Sequence, residues 1–207
     1  MAVQETTKGQ RTAGRILDVA EALFAQNGYA ATSLRDIAEQ AGLQQPGLYK
    51  HFAGKEELYR RVYDRALQPM TDLMDSMLAG HGVGFGELAE RMTDLLALHP
   101  NIARLLVRAT ISSDGEEDLV ALEWLGRLVK YGRQLNAMAG LPSRAELQAV
   151  QVVAFYNMLF GFFWASPLIE NLSSKPATDP AVMDLQKSLL RSFIGYLEQA
   201  SRAEALS

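Results

Sequence analysis

Apolar residues recur at helical spacing along most of the chain, and we find no convincing run of alternating apolar and polar residues of the strand type. The first clear helix has one apolar face, formed by Ile16, Leu17, Ala20, Leu23 and Phe24. It stops at QNGYA, where Gly28 suits the left-handed position after a helix and Tyr29 can fold back as an apolar contact. The pattern predicts an all-α protein.

Two shorter helices follow, separated by a glycine turn. Ser33 is expected to cap the first of them with Asp36 as its partner, and Gly42 is expected to end it. The second is predicted over about residues 44–51, with Pro46 in its first turn, where a missing N–H is tolerated. Two short helices joined by a tight turn and braced by a preceding helix form a helix-turn-helix.

The rest of the chain predicts longer helices. One begins at Lys55, has Glu56 and Glu57 near the positive end of its dipole, and runs towards Leu78 with a kink expected at Pro69. A glycine-rich break follows at residues 79–87. Further helices are predicted over residues 85–98, 101–112 and 116–139, from the capping box of Ser143 and Glu146 onwards, and from the Asp179 cap with Pro180 to about residue 200.

The last helix of the helix-turn-helix would project its polar side, N-terminus first, into a DNA major groove. The amides of Gln44 and Gln45 match the donor and acceptor of adenine, whereas Tyr49, Lys50 and His51 are suited to phosphates. Other polar groups at the helix starts can also reach the DNA backbone. The candidate DNA-binding residues are Ser33, Arg35, Gln44, Gln45, Gly47, Tyr49, Lys50, His51 and Lys55.

The stretch ATSLRDIAEQAGLQQPGLYKHFAGKEELYRRV resembles the DNA-binding domain of TetR-family transcriptional regulators. A threonine-rich cap, an I-A-x-x-A-G turn, an L-Y-x-H-F ending and a K-E-E-L helix start occur in the order and spacing of that family. The resemblance covers roughly residues 10–65. Gln44 departs from the Ser or Thr that often caps the recognition helix, and Pro46-Gly47 replaces a pair that often includes a hydroxyl. The residues that read bases therefore stay open.

The resemblance implies an N-terminal three-helix DNA-binding domain, placed at residues 1–55, and a C-terminal helical domain for effector binding and dimerisation, placed at 56–207. It also implies a homodimer that reads a palindromic operator and is released from it by a small molecule. Two recognition helices on one rigid body would read half-sites ~34 Å apart.

Charge is spread unevenly along the chain. The net charge of −4 divides into +1 for residues 1–61 and −5 for residues 62–207. Residues 6–17 and 40–55 contain no acid, so a polyanion would meet local basic patches, although ordinary solvated surface explains the charge equally well. The absence of cysteine excludes disulfides, and residues 1–15 lack the apolar core of a signal peptide. A cytoplasmic protein fits these features.

Residues 147–169 contain no charged side chain and are long enough to span a membrane. Their polar residues and the soluble-type capping box before them favour a buried helix, covered by its own subunit and by a second copy. The resemblance implies that this helix and the last one form a four-helix dimer interface. The candidate interface residues are Phe160, Gly161, Leu189, Phe193 and Leu197.

Aromatic residues and methionines in the C-terminal part suit an apolar or aromatic effector held by one or two polar groups. The candidate pocket residues are Met92, Trp124, Tyr131, Phe155, Asn157 and Trp164. For each of them, ordinary core or dimer packing is the competing interpretation.

Catalytic patterns have little support. The three histidines, His51, His81 and His99, belong to no metalloprotease pattern, and no nucleophile elbow, P-loop or dinucleotide fingerprint occurs. The acids of residues 112–119 lack calcium-loop spacing, and we expect neither a metal nor a cofactor. The favoured hypothesis is a dimeric, ligand-responsive repressor. The alternatives are an all-helical carrier or enzyme with an unused DNA-binding motif, and an architectural DNA-binding protein without an effector.

Overall fold

A computed structural model describes residues 7–81, 84–111, 119–140 and 145–205 of the chain, and within these ranges all regular structure is helical. The helices are α1 Lys8–Asn27, α2 Leu34–Gln40, α3 Gln45–Leu48, α4 Lys55–Leu78, α5 Phe85–Leu98, α6 Pro100–Ile111, α7 Leu119–Met138, α8 Ala145–Trp164, α9 Ser166–Ser173 and α10 Pro180–Ala205. The predicted all-α fold is confirmed.

Local sequence signals determine where α1 begins and ends. Thr7 and Gln10 form a capping box, in which each side chain accepts a hydrogen bond from the backbone N–H of the other. At the other end Gly28 has φ 83° and donates its N–H to the Phe24 carbonyl at 2.9 Å. A β-carbon there would lie 2.5 Å from a guanidinium nitrogen of Arg108, a flexible side-chain end that can shift, so the positive φ is the main reason for glycine. The predicted stop at Gly28 is confirmed.

The helix-turn-helix forms largely as predicted. The Ser33 hydroxyl accepts the Asp36 N–H at 3.1 Å and donates to the Asp36 carboxylate at 2.7 Å, which confirms the cap of α2. The third helix is shorter than expected, because α3 ends at Leu48 and residues 49–51 continue as turns. Backbone hydrogen bonds still close these turns, with the N–H groups of His51 and Phe52 both donating to the Leu48 carbonyl.

Helix α4 has the predicted bounds and continues past Pro69. Its buried face includes Leu58 and Val62 near α1 and Met70 and Met74 further along, and it packs against α1, α5 and α7. The buried residues of the first three helices and those of the C-terminal helices belong to one continuous apolar core. Helix α4 therefore connects the helix-turn-helix to the rest of the molecule.

Among the C-terminal helices, α5 has the predicted bounds. The predicted start of α10 is also confirmed, because the Asp179 carboxylate accepts the Ala181 N–H at 2.9 Å. The expectation of one helix through residues 147–169 is wrong, because α8 ends at Trp164 and a separate α9 begins at Ser166. Pro167 lies in the first turn of α9, where its missing N–H is tolerated, so this sequence favours the start of a new helix there. The predicted Ser143 cap and the acids of 112–118 lie outside the described residues.

Helix α8 is the one helix in the described ranges that is long and apolar enough to cross a membrane, with a mean hydropathy of 1.3. The core helix of a soluble protein has the same properties. One face of α8 is buried against its own chain, whereas Val150, Val153 and Trp164 are half or more exposed. The expected burial on all sides is therefore incomplete within a single chain.

Candidate nucleic-acid interface and interior cavity

Buried apolar contacts hold α3 against α2. Ile37, Ala38 and Leu48 are almost completely inaccessible to solvent. The Leu43 N–H donates to the Ala38 carbonyl at 2.8 Å, which closes the turn between the two helices. The small side chain of Ala38 allows this close approach. Because one side of α3 is anchored in this way, its other side faces outward in a defined orientation.

The outward side of α3 and the turn after it is polar. Gln44, Gln45 and Lys50 are exposed, and Tyr49 is 50% exposed. Gln44 occupies the N-cap position of α3 but makes no capping hydrogen bond with its side chain. Its amide is therefore available to a partner, and an amide is the side-chain group that pairs with the exposed edge of adenine.

The other candidate DNA-binding residues near this surface differ in their surroundings. Arg35 is exposed and borders an open depression between α2 and α3 together with Gln44, Gln45 and the acidic Glu39. Gly47 is half-buried, and a β-carbon there would lie 3.9 Å from the Leu43 side chain. Such a β-carbon would fit within the chain, so contacts inside the protein do not require glycine at this position.

Ser33, His51 and Lys55 already have roles within the chain. The Ser33 hydroxyl is engaged in the cap of α2, and the half-buried ring of His51 lies 6.5 Å from that of Phe52. The Lys55 ammonium donates to the Ala30 carbonyl at 3.2 Å and lies 4.3 Å from the centre of the Tyr29 ring. These contacts fix the start of α4 against the segment that follows α1.

A buried polar cluster also connects α1 to the C-terminal helices. The Glu21 carboxylate, 6% exposed, accepts hydrogen bonds from Arg65 at 2.8 Å and is within 2.9 Å of the His99 Nδ1. Arg65 also reaches Asp18 at 2.6 Å, and its Nε is buried without a hydrogen-bond partner among the described residues. The cluster thus joins α1, α4 and the junction between α5 and α6.

An interior cavity of about 60 Å³ lies among α4, α5, α7, α8 and α10. It is lined by Met74, Phe85, Leu88, Met92, Gly132, Leu135, Asn136, Ala139, Gln151, Val152, Phe155, Tyr156, Ile194 and Leu197. Most of this wall is apolar, and none of these side chains is a carboxylate, ammonium or guanidinium group. Burial raises the pKa of the Tyr156 phenol, so this group also stays neutral.

Two of the six candidate pocket residues, Met92 and Phe155, line the cavity, and the other four lie elsewhere. Trp124 is buried with the Arg127 guanidinium 4.0 Å above its ring, and the Tyr131 hydroxyl donates to Asp75 at 2.7 Å. Asn157 and Trp164 are exposed on α8.

Asn136 and Gln151 are polar lining residues that the sequence reasoning did not select. Gln151 precedes Phe155 by four residues on an apolar helix, so the two side chains lie on one face. This spacing was the signal that could have placed Gln151 beside the candidate pocket residue Phe155.

Exposed apolar side chains form what we term the apolar face of α8–α10. It consists of Val150, Val153 and Trp164 on α8, Leu168 and Leu172 on α9, and Leu185, Leu189 and Tyr196 on α10, each at least 50% exposed. The spacing on α8 and α10 places these side chains along one side of each helix. Helix α8 contacts both α9 and α10, and exposed apolar side chains on adjacent helices are typical of a protein–protein interface.

The candidate dimer residues fall on both sides of these helices. Leu189 belongs to the apolar face, and Gly161 has open space beside it. Phe193 is half-buried. Phe160 is buried and stacks on Tyr156 at 5.5 Å within its own chain, and Leu197 lines the cavity.

No group of three or more histidine, cysteine, aspartate or glutamate side chains within the described ranges could hold a metal ion.

The sequence matches, over residues 16–62, the model of a family described as bacterial regulatory proteins, tetR family. The transcriptional repressor KstR2 of Mycobacterium tuberculosis is 43% identical over 67 residues, which is 30% of this chain and 34% of KstR2. The match therefore spans about a third of the length of that repressor.

A longer match extends the similarity into the C-terminal helices. The uncharacterised transcriptional regulator YfiR of Bacillus subtilis is 32% identical over 170 residues, covering 76% of this chain and 78% of YfiR. The crystal structure of a transcriptional regulator from Aquifex aeolicus VF5 superposes with a TM-score of 0.61 at 20% identity, covering 89% of this chain and 98% of that one. This structural similarity concerns the fold.

Proposed function

The chain belongs to the TetR family of bacterial transcriptional regulators, which are not enzymes, and we propose that it is a homodimeric repressor released from a palindromic operator by a small apolar or aromatic effector. We place it in the cytoplasm, with residues 1–55 as the DNA-binding domain and residues 56–207 as the effector and dimer domain. The observation that carries this proposal is the exposed polar side of α3, held in place by the buried Leu48.

The surface around α3 supports separate roles in DNA binding. Gln44 and Gln45 are exposed amides that suit base edges, and Lys50 and Tyr49 suit phosphates on either side. Arg35 adds a second exposed cation on α2. Lys55 contributes indirectly, because its contacts with Ala30 and Tyr29 orient the start of α4.

The apolar face of α8–α10 supports the homodimer. A second copy meeting this face by two-fold symmetry would bury the same side chains from both subunits. Its two α3 helices would then read half-sites about one turn of DNA apart, ~34 Å, which requires a palindromic operator.

The cavity supports control by an effector, because α4 contributes to its wall through Met74 and also carries Lys55 and Arg65 next to the DNA-binding helices. A ligand that enlarges the cavity would favour another position of α4 and hence another separation of the two α3 helices. Its binding then weakens operator binding by linkage, without contact between ligand and DNA.

The test is a footprint on the DNA upstream of the chain's own coding region, with random-sequence selection if that region is not bound. We expect a discrete two-fold symmetric footprint that survives moderate salt. Lys50→Ala should weaken operator binding and reduce the slope of log affinity against log salt by about one. Lys130→Ala, an exposed lysine on α7, is the matched control and should change neither quantity.

Binding that spreads along DNA of any sequence and disappears steeply with salt, both upstream and after selection, would contradict site-specific regulation. An equal effect of the two lysine substitutions would contradict the assignment of α3 as the DNA-reading helix.

A further inference from the structure

The wall of the cavity excludes one chemical class of effector. Of the residues that the structure describes, fourteen line it, and none of these carries a carboxylate, an ammonium or a guanidinium group. A charged ligand would lose its hydration there without gaining an ionic partner from these fourteen residues, which disfavours its binding. An apolar or neutral ligand does not face this cost.

One polar pair interrupts the apolar wall. The Asn136 amide nitrogen lies 3.4 Å from the Gln151 amide oxygen, which is a long hydrogen bond between α7 and α8. Gln151 is 92% buried (8% exposed), yet its remaining amide nitrogen makes no hydrogen bond to the described residues. The Gln151 amide nitrogen is therefore a donor at the cavity wall that the described residues do not use.

The Asn136–Gln151 pair keeps one unused donor and one unused acceptor in either orientation of the two amides. If both amides are turned over, the bond between them reverses, and one side chain still keeps a donor while the other keeps an acceptor. The Tyr156 hydroxyl does not fill this role, because it already donates to the Leu128 carbonyl at 2.7 Å. The cavity therefore presents an adjacent donor and acceptor to a molecule inside it.

We propose that the effector of this chain is a neutral molecule with an apolar body and one hydroxyl or carboxamide group, which Gln151 and Asn136 bind by a paired hydrogen bond. The proposal rests on the proposed function of the cavity as the effector site. Hydroxyl and carboxamide groups each donate and accept, so either one can satisfy both free positions of the amide pair. Such a ligand also completes the hydrogen bonding of the buried Gln151.

Three small aromatic compounds of similar shape separate the possibilities, and each needs more room than the cavity's about 60 Å³, so its binding requires the enlargement proposed above. Benzamide is neutral and carries the paired donor and acceptor, benzoate is anionic at neutral pH, and toluene has no polar group. Affinities would be measured on the full-length protein by calorimetry and by the rise in unfolding temperature. We expect benzamide to bind at least about tenfold more tightly than benzoate.

Substitution of the amide identifies the binding group. Gln151→Leu should weaken benzamide about five- to tenfold while changing toluene by less than about threefold, because it removes a hydrogen bond and adds apolar surface. Gln134→Leu is the matched control, since Gln134 is an exposed glutamine on α7 outside the cavity. Asn136→Leu is the second variant and should reduce the benzamide-to-toluene affinity ratio in the same way.

The proposal is overturned if benzoate binds as tightly as benzamide, if none of the three compounds binds, or if the benzamide-to-toluene ratio is unchanged in Gln151→Leu and Asn136→Leu. Operator binding by the same samples without ligand is measured in parallel. Selective benzamide binding without site-specific DNA binding would overturn the regulator function alone. Site-specific DNA binding without benzamide selectivity would overturn the effector class alone.

Discussion

Tyr156 places a phenol in the interior of the molecule, where its environment determines its charge. The side chain is 8% exposed, and its hydroxyl donates to the Leu128 carbonyl and lies 3.9 Å from the Met74 sulfur. Burial raises its pKa well above the ordinary value of 10.0. The folded protein therefore holds this proton in a pH range where the unfolded chain releases it.

Replacing Tyr156 by phenylalanine should produce a pH-dependent loss of stability. At pH 7 we expect Tyr156→Phe to lower the free energy of unfolding by about 1 kcal/mol, through loss of the buried hydrogen bond. The raised folded-state pKa stabilises the wild type fully below the unfolded-state pKa, and this contribution falls as pH rises above it. At pH 11 the wild type should have lost about 1.4 kcal/mol of its stability, whereas the variant has no phenol to titrate, so the deficit of about 1 kcal/mol disappears or slightly reverses.

Urea denaturation of the two proteins at both pH values measures this difference. Tyr49→Phe, at a half-exposed tyrosine, is the control and should not show the deficit at pH 7. A deficit for Tyr156→Phe that stays constant from pH 7 to pH 11 would contradict the assignment.

At the scale of helices, α4 is held at several points along its length. Arg65 pairs with Glu21 and Asp18 on α1, and further contacts link α4 to α7, including the Arg60–Glu123 ion pair at 2.9 Å. Both members of the Arg60–Glu123 pair are about half exposed, so that contact contributes little to stability. The Glu21 carboxylate is buried, and its pairing with Arg65 is therefore the stronger connection.

Arg65→Ala should destabilise the protein by about 3 kcal/mol, because it leaves the buried Glu21 carboxylate with His99 as its remaining close partner. Arg61→Ala, at an exposed arginine on the same helix, should change stability by less than about 0.5 kcal/mol. Denaturant unfolding measures both. The double variant Glu21→Leu, Arg65→Met should recover much of the loss, since it removes the unpaired charge. Equal effects of the two alanine substitutions would refute this role for the cluster.

At the scale of the whole molecule, the polar surface of α3 and the apolar face of α8–α10 are distinct surfaces suited to different partners. One is small, polar and flanked by cations, and the other is formed by large aliphatic and aromatic side chains. Helix α4 and the cavity lie on the route between them, because α4 starts beside α3 and its Met74 lines the cavity next to α8. This arrangement suits a regulator whose subunit geometry governs DNA binding.

Leu189→Glu should convert the proposed dimer to a monomer, because it places a charge in the apolar face of α10, where Leu189 is 60% exposed. Sedimentation equilibrium measures the change, and operator affinity should fall by about 100-fold or more once the two α3 helices are no longer linked. The control is Leu98→Glu, at a 71% exposed leucine at the end of α5, a helix that contributes no residue to this face. A dimer that survives Leu189→Glu would show that another surface holds the subunits together.

Much of the fold could be predicted from short stretches of sequence. The ends of α1, α2 and α5 and the start of α10 depend on caps, glycines and prolines that act within a few residues, as at Ser33 and Gly28. The same holds for the helix-turn-helix and its exposed residues Gln44 and Lys50, since their positions relative to Leu48 follow from helical periodicity. The break at Pro167 was a local signal too, although its consequence was missed.

The cavity and the apolar face could not be predicted in this way. Helix α8 is apolar on all sides, so periodicity alone does not show which of its sides lines the cavity and which stays exposed. Only packing shows that Gln151 faces α7 and that Val150 and Val153 stay exposed. The same applies to Glu21 and His99, which are 78 residues apart in sequence and 2.9 Å apart in the folded chain. Local sequence determines where helices begin, end and expose polar groups, whereas contacts between distant helices decide which of their faces form a core, a cavity or an open surface.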